Sequence, residues 1–197
     1  MPEDTDRPRV RPREALTMVG SMTLERPSAP HPHEHLPSAP AELEVTSEDF
    51  ADGQPLPEWA GFGYGNTSPQ LSWSGAPEGT RSFLVVCHDP DAPVIGGFHH
   101  WAVVGIPAEV TSLERGAGAF GQQLGGGAVT LANDYGTRDF GGCAPPEGDG
   151  AHRYVFTVWA LDTDNTGLDA STSVAKAQFS TLGNVLARGS ITGTYQL

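Results

Sequence analysis

Two short apolar runs constrain this chain more than anything else in it. Ser82-Phe83-Leu84-Val85-Val86-Cys87-His88 and Trp101-Ala102-Val103-Val104-Gly105-Ile106 hold almost no polar side chains. Runs of this kind suit strands covered on both faces, so the fold must supply a sheet with a packed layer on each side. Elsewhere the apolar period is two. Leu43 and Val45 alternate with Glu42, Glu44 and Thr46, and Leu71 alternates with Trp73. Arg153 to Leu161 alternates as well, with His152, Tyr154, Phe156, Val158 and Ala160 on one face and Arg153, Val155, Thr157, Trp159 and Leu161 on the other. His152 and Tyr154 therefore point the same way.

Long helices do not fit a chain of 197 residues with 25 Gly and 17 Pro. One helix is predicted near the C-terminus, where Ala175, Phe179, Leu182 and Leu186 fall at i, i+4, i+7 and i+11, with Gly189 as its stop. Ser190 to Tyr195 then reads as a last strand. Val129-Thr130-Leu131 is a short strand within the otherwise irregular, Gly-rich residues 107–150. Gly125-Gly126-Gly127 is not a phosphate loop, since no Lys-Ser/Thr pair and no helical pattern follow it. The expected fold is mainly β with few helices, a sandwich of two sheets with a C-terminal helix.

The length gives one domain with a real core, placed at residues 41–197. Residues 1–40 hold eight of the 17 prolines and no apolar period, and read as a disordered or loosely draped tail. Its His31-Pro32-His33-Glu34-His35 tract reads as part of that tail and not as a metal site, and no metal or cofactor is expected. The formal charge is −13. Such a surface repels nucleic acid and anionic bilayers at long range, so an anionic ligand needs local donors. No signal-peptide pattern and no apolar run of membrane-spanning length is present, which predicts a cytoplasmic protein. Cys87 reads as a buried small hydrophobe. Cys143, in a Gly-rich loop, is expected nearer the surface, and the sequence leaves their pairing open.

The chemistry gathers at Asp89-Pro90-Asp91-Ala92-Pro93, His99-His100-Trp101 and Gly150-Ala151-His152-Arg153-Tyr154. Two aspartates between prolines can simply build a turn. They can also accept hydrogen bonds from histidines, orienting the rings and favouring their charged form. On that reading Asp89 or Asp91 holds His100 or His152, and the imidazolium together with backbone N–H groups takes an anion. His99, on the other face of its strand from His100, is read as structural, and Trp73 and Trp101 as core. The same residues suffice for acid–base chemistry on a small molecule, the alternative reading (a hydrolase or cyclase), although no nucleophile with an oriented base is evident and Ser68 and Cys143 are candidates only by nearness in an assumed fold.

These motifs, with Asn66-Thr67-Ser68-Pro69-Gln70-Leu71-Ser72-Trp73, the Phe140 to Pro146 loop and the ending Ile191-Thr192-Gly193-Thr194-Tyr195, resemble the phosphatidylethanolamine-binding protein family. The likeness is to its bacterial, Raf-kinase-inhibitor-like branch and runs from about residue 42 to Tyr195. It implies a Greek-key β-sandwich with a ligand pocket at one end. Asp89, Asp91 and Pro93 would form one wall, His100 another, Ala144, Pro145 and Pro146 the rim, and His152 with Tyr154 the floor. The implied ligand is a small anionic group: phosphate, phosphoethanolamine or carboxylate. The implied role is regulatory, through inhibition of a kinase or protease; an interaction module independent of the pocket is a further alternative, and a homodimer is left open. The loop departs from the branch's usual Tyr-Gly-Gly-Pro-Cys-Pro-Pro, with Phe140 for Tyr and Cys143-Ala144 for Pro-Cys, and Asn184 stands where His is expected.

Overall fold

A computed structural model describes residues 24–164 and 166–197. The expected central strands lie where both faces are covered. β1 (Ala41–Glu42), β4 (Ser82–Asp89), β5 (Phe98–Pro107), β7 (Val129–Thr130), β8 (His152–Leu161) and β9 (Val185–Tyr195) form a six-stranded sheet in the order β1-β9-β8-β4-β5-β7. β2 (Glu44–Thr46), β3 (Leu71–Ser74) and β6 (Ser112–Leu113) form a second sheet, β2-β3-β6. All pairings are antiparallel except β1 with β9. β8 returns beside β4 after β5 to β7 have intervened, which is the Greek-key crossing.

Strand alternation sorts the core into two layers. Phe83, Val85, Trp101, Val103, Phe156 and Val158 face the small sheet and pack with Val45 and Trp73. Leu84, Val86, Ala102, Val104, Trp159 and Leu161 face the other way, under Val174 and Ala177 of the helix α1 (Val174–Thr181). Burial on both faces of β4 is what its unbroken apolar run requires.

The helix is where the sequence pattern misleads. α1 starts at Ser173, whose hydroxyl accepts the Lys176 N–H, and ends at Thr181. Its buried face is Val174, Ala177 and Thr181, whereas Ala175 is exposed and Phe179 is 77% exposed. Leu186 and Gly189, expected in and just after the helix, belong to β9. At Gly189 the Leu43 carbonyl leaves no room for a Cβ, so its glycine serves a close strand approach. Phe179→Ser should therefore change the unfolding free energy by no more than about 0.5 kcal/mol, while Ala177→Leu costs roughly 1–3 kcal/mol by overpacking. Urea unfolding decides it: a larger cost at Phe179 than at Ala177 would restore the apolar stripe.

Residues 24–40 run across the body of the domain. The His31 tract is a 3-10 turn in which the His31 ring caps the His33 N–H and Glu34 accepts the His31 N–H. His33 Nε2 lies 3.0 Å from Thr157 Oγ1 of β8. Among the described residues no group of three or more His, Cys, Asp or Glu side chains is arranged to hold a metal ion. None of their helices is long and apolar enough to cross a membrane.

Candidate functional site

The site begins where β4 ends. Asp89, 2% exposed, is the last residue of β4, and its Oδ1 accepts the Asp91 N–H at 2.8 Å. This is the turn chemistry expected of Asp beside Pro, but the second oxygen does something else. His152 Nδ1–H donates to Asp89 Oδ2 at 2.8 Å, both side chains being almost fully buried. The other ring nitrogen, Nε2, lies 3.0 Å from Asp149 Oδ2. Burial lowers the His152 pKa, but hydrogen bonds to Asp89 and Asp149 outweigh it and the net shift is upward. The ring is thus clamped between two carboxylates, which favour its charged form.

Asp91 has a different partner from the one expected. Arg153 grips it in a fork, Nε to Oδ2 at 2.8 Å and Nη2 to Oδ1 at 2.7 Å, and the Arg153 N–H adds a bond at 3.0 Å. Burial raises the Asp91 carboxyl, and the Arg153 guanidinium more than offsets this, holding it below its ordinary value. Asp91 therefore orients no histidine. It ties the 90–97 loop to the start of β8 and so holds Asp89 and His152 in register.

His100 is placed by an irregularity. In the β4–β5 ladder Cys87 faces Trp101 and His88 faces His99, so His100 is an extra residue in β5. Strict alternation from Trp101 would turn His99 inward. The bulge turns His100 inward instead, against the Tyr154 ring at 5.0 Å between centroids, and sends His99 outward to Asp134, 3.0 Å away. His100 Nδ1–H donates to the Gly141 carbonyl at 2.6 Å and is 3.2 Å from that of Gly142. Nε2 is then the unprotonated nitrogen, a lone-pair acceptor. Burial drives the His100 pKa down to about 4, despite the Gly141 carbonyl and the nearby Asp89 charge. The expected imidazolium at this position is therefore a neutral ring.

The Phe140 to Pro146 loop, expected as the rim, has its backbone N–H groups engaged from Gly141 to Ala144. The Gly141 N–H goes to His100 O, Gly142 to Asn66 Oδ1, Cys143 to Ala60 O, and Ala144 to Tyr154 Oη. Asn66 also donates to Phe140 O at 2.9 Å, so one amide side chain makes two bonds to the start of the loop. Gly142 is required here, since a Cβ would stand 2.6 Å from Ala60 O. Cys143 is 1% exposed, not near the surface, and both cysteines are free.

A cleft of about 530 Å³ opens beside the clamp, lined by residues 24–28, Asp91, residues 148–151 and His152. Of the sequence-predicted site residues, only Asp91 and His152 line it. Asp89 stands behind His152; Tyr154, fully buried, takes the Ala144 N–H. His100, Ala144, Pro145 and Pro146 do not line the cleft, and Pro93 lies exposed in the 90–97 loop. No peptide bond among the described residues is cis. Of the two candidate nucleophiles, Ser68 is buried with its Oγ accepting the Gly118 N–H, and burial pushes the Cys143 thiol up. Neither hydrogen-bonds to His152.

Two contributors escape sequence reasoning. Arg26 enters the cleft with Nη2 2.8 Å from Asp149 Oδ2 and 3.3 Å from His152 Nε2, and donates to the Asp91 carbonyl. It lies 126 positions before His152, and no period announces it. Asp149 did carry a signal, an acid between two glycines three residues before His152.

A two-sheet Greek-key sandwich with an Asp–His clamp at the end of its central strands defines a class, the phosphatidylethanolamine-binding fold. Residues 46–196 match the family described as phosphatidylethanolamine-binding protein. The chain is 45% identical over 163 residues to the UPF0098 protein YbcL of Escherichia coli, covering 80% of this chain and 89% of that protein. It is 39% identical over 158 residues to E. coli YbhB, covering 78% of this chain and 99% of YbhB. The crystal structure of E. coli YbcL, described as a new member of the mammalian PEBP family, superposes with a TM-score of 0.75, over 80% of this chain and 99% of that one. The chain belongs to the phosphatidylethanolamine-binding protein family.

Proposed function

We propose that the cleft binds a small ligand through an anionic group held on His152 Nε2–H, with Arg26 as second donor, and that occupancy regulates a protein partner of the kinase or protease class. The observation that carries this is the clamp itself: a buried ring, fixed by Asp89, whose charged form the two carboxylates favour and whose Nε2 faces an open cleft. Four carboxylates (Glu25, Asp89, Asp91, Asp149) and three cations (His152, Arg153, Arg26) lie in or directly beside the cleft. A bare dianion adds its full charge to that set inside a chain of formal charge −13, whereas the ammonium of phosphoethanolamine offsets part of its phosphate charge. Phosphoethanolamine is therefore the favoured chemistry, phosphate towards His152 and ammonium towards a carboxylate. The two free, buried thiols fit a reducing compartment, and the cytoplasm is the location that goes with this reading.

Calorimetric titration with phosphoethanolamine, inorganic phosphate and acetate tests it. Phosphoethanolamine should bind most tightly, and His152→Ala should weaken it at least about tenfold. Equal binding by wild type and His152→Ala sinks the reading.

A further inference from the structure

Asp149 occupies the position at which the cleft would receive an anion. One carboxylate oxygen, Oδ2, is shared by His152 Nε2 at 3.0 Å and Arg26 Nη2 at 2.8 Å. These are the only charged donors directed into the cleft among the described residues, and Asp149 uses both. Burial raises the Asp149 carboxyl, and donation from His152 and Arg26 outweighs it, holding it below its ordinary value.

The carboxylate is on a segment able to leave. Gly148 has φ +81°, and neither it nor Gly150 has a heavy atom within 4 Å of where a Cβ would stand. Apart from His152 and Arg26, the bonds that hold it are few: the Asp149 N–H to Pro146 O at 3.1 Å, a long contact from Gln196 to Asp149 O at 3.4 Å, and the Gly150 N–H to Asp149 Oδ1 at 2.9 Å, a bond between neighbours that can move with the segment. Swung outward, the carboxylate would regain water. Arg26 is more firmly held, since it also bonds the carbonyls of Leu24 and Asp91.

We propose that Asp149 is a built-in competing ligand: its carboxylate fills the anion position, and an external phosphate or carboxylate binds by replacing it on His152 and Arg26. This rests on the anion-binding reading above. Exchange of one anion for another leaves the charge of the cleft nearly unchanged, and the freed carboxylate stays close enough in sequence to meet a ligand's own ammonium. The residue thus selects for zwitterions and weakens binding of a bare anion. Arg26 is a ligand contact in waiting, contributed by a segment outside the sandwich.

The test uses the full chain with inorganic phosphate as probe, titrated into wild type, Asp149→Asn and Arg26→Gln, with circular dichroism to confirm folding. Asp149→Asn should bind phosphate about tenfold more tightly and Arg26→Gln about tenfold more weakly than wild type. Mere structural damage at residue 149 cannot tighten binding. Wild-type binding with no gain in Asp149→Asn overturns this inference and leaves the anion site standing. Folded wild type and Asp149→Asn that both ignore phosphate overturn both.

Discussion

Asp89→Ala is expected to cost about 3 kcal/mol of folding stability, lower Tm by roughly 10 °C, and reduce phosphoethanolamine affinity at least tenfold. The carboxylate carries two buried bonds at once, to the Asp91 N–H at 2.8 Å and to His152 Nδ1–H at 2.8 Å. Its removal leaves a buried imidazolium with one partner fewer and a turn N–H with none. The cost stays near the low end for a broken buried pair because the ring can shed its proton. That escape is itself measurable: the His152 pKa, raised in the wild type, should fall in the variant. Asp89→Asn separates charge from shape, since it keeps an oxygen for the Asp91 N–H. It should retain most of the stability and still lose the raised pKa and the tight binding. Unfolding curves and an NMR titration of His152 decide between these outcomes. If Asp89→Asn titrates and binds like wild type, the aspartate is a turn residue only.

How far the fold could be read depended on whether local pattern and tertiary demand agreed. They agree in β4, β5 and β8, where apolar runs and alternation state directly which faces are buried. They disagree in α1. The sequence offers Ala175, Phe179, Leu182 and Leu186 as a stripe, yet the helix presses its smaller side, Val174 and Ala177, onto the sheet. Close packing of a short helix on a sheet favours small contacts, and a short helix lacks the length to make a stripe of four decisive.

The site divides along the same line. Asp89 and His152 sit at the ends of adjacent strands, and each was legible from its own strand. His100 was legible only through the family likeness, because the bulge at that residue reverses the alternation that would otherwise have named His99. The Asp91–Arg153 fork was not legible, since Asp89 and Asp91 are two residues apart whereas their partners His152 and Arg153 are adjacent, on opposite faces of β8. Arg26 had no cue either. Only the folded chain brings it to the cleft.

The second large effect is on pH dependence, and it separates the two histidines. His100 has a folded pKa of about 4 against an ordinary value near 6.5. Between those limits the unfolded chain binds more protons than the folded one, so stability falls as pH falls, and the contribution reaches about 3 kcal/mol by pH 4. His33, His88 and His31 are shifted downward by burial too and add in the same direction. His152 works oppositely, since its pKa is raised. Its contribution is fully present below pH 6.5 and is lost as pH rises through the folded value. The depressed carboxyls of Asp91, Asp149 and Asp134 act in a third window, stabilising above the ordinary carboxylate value and failing as pH drops through their lower folded ones. Urea unfolding from pH 8 to pH 4 should therefore show a maximum near pH 6.5 and a steep loss below it. His100→Gln keeps a donor for the Gly141 carbonyl and should remove most of that loss. A wild type whose stability is flat between pH 6.5 and 4, or a His100 ring that NMR shows charged at pH 5.5, would overturn the neutral assignment.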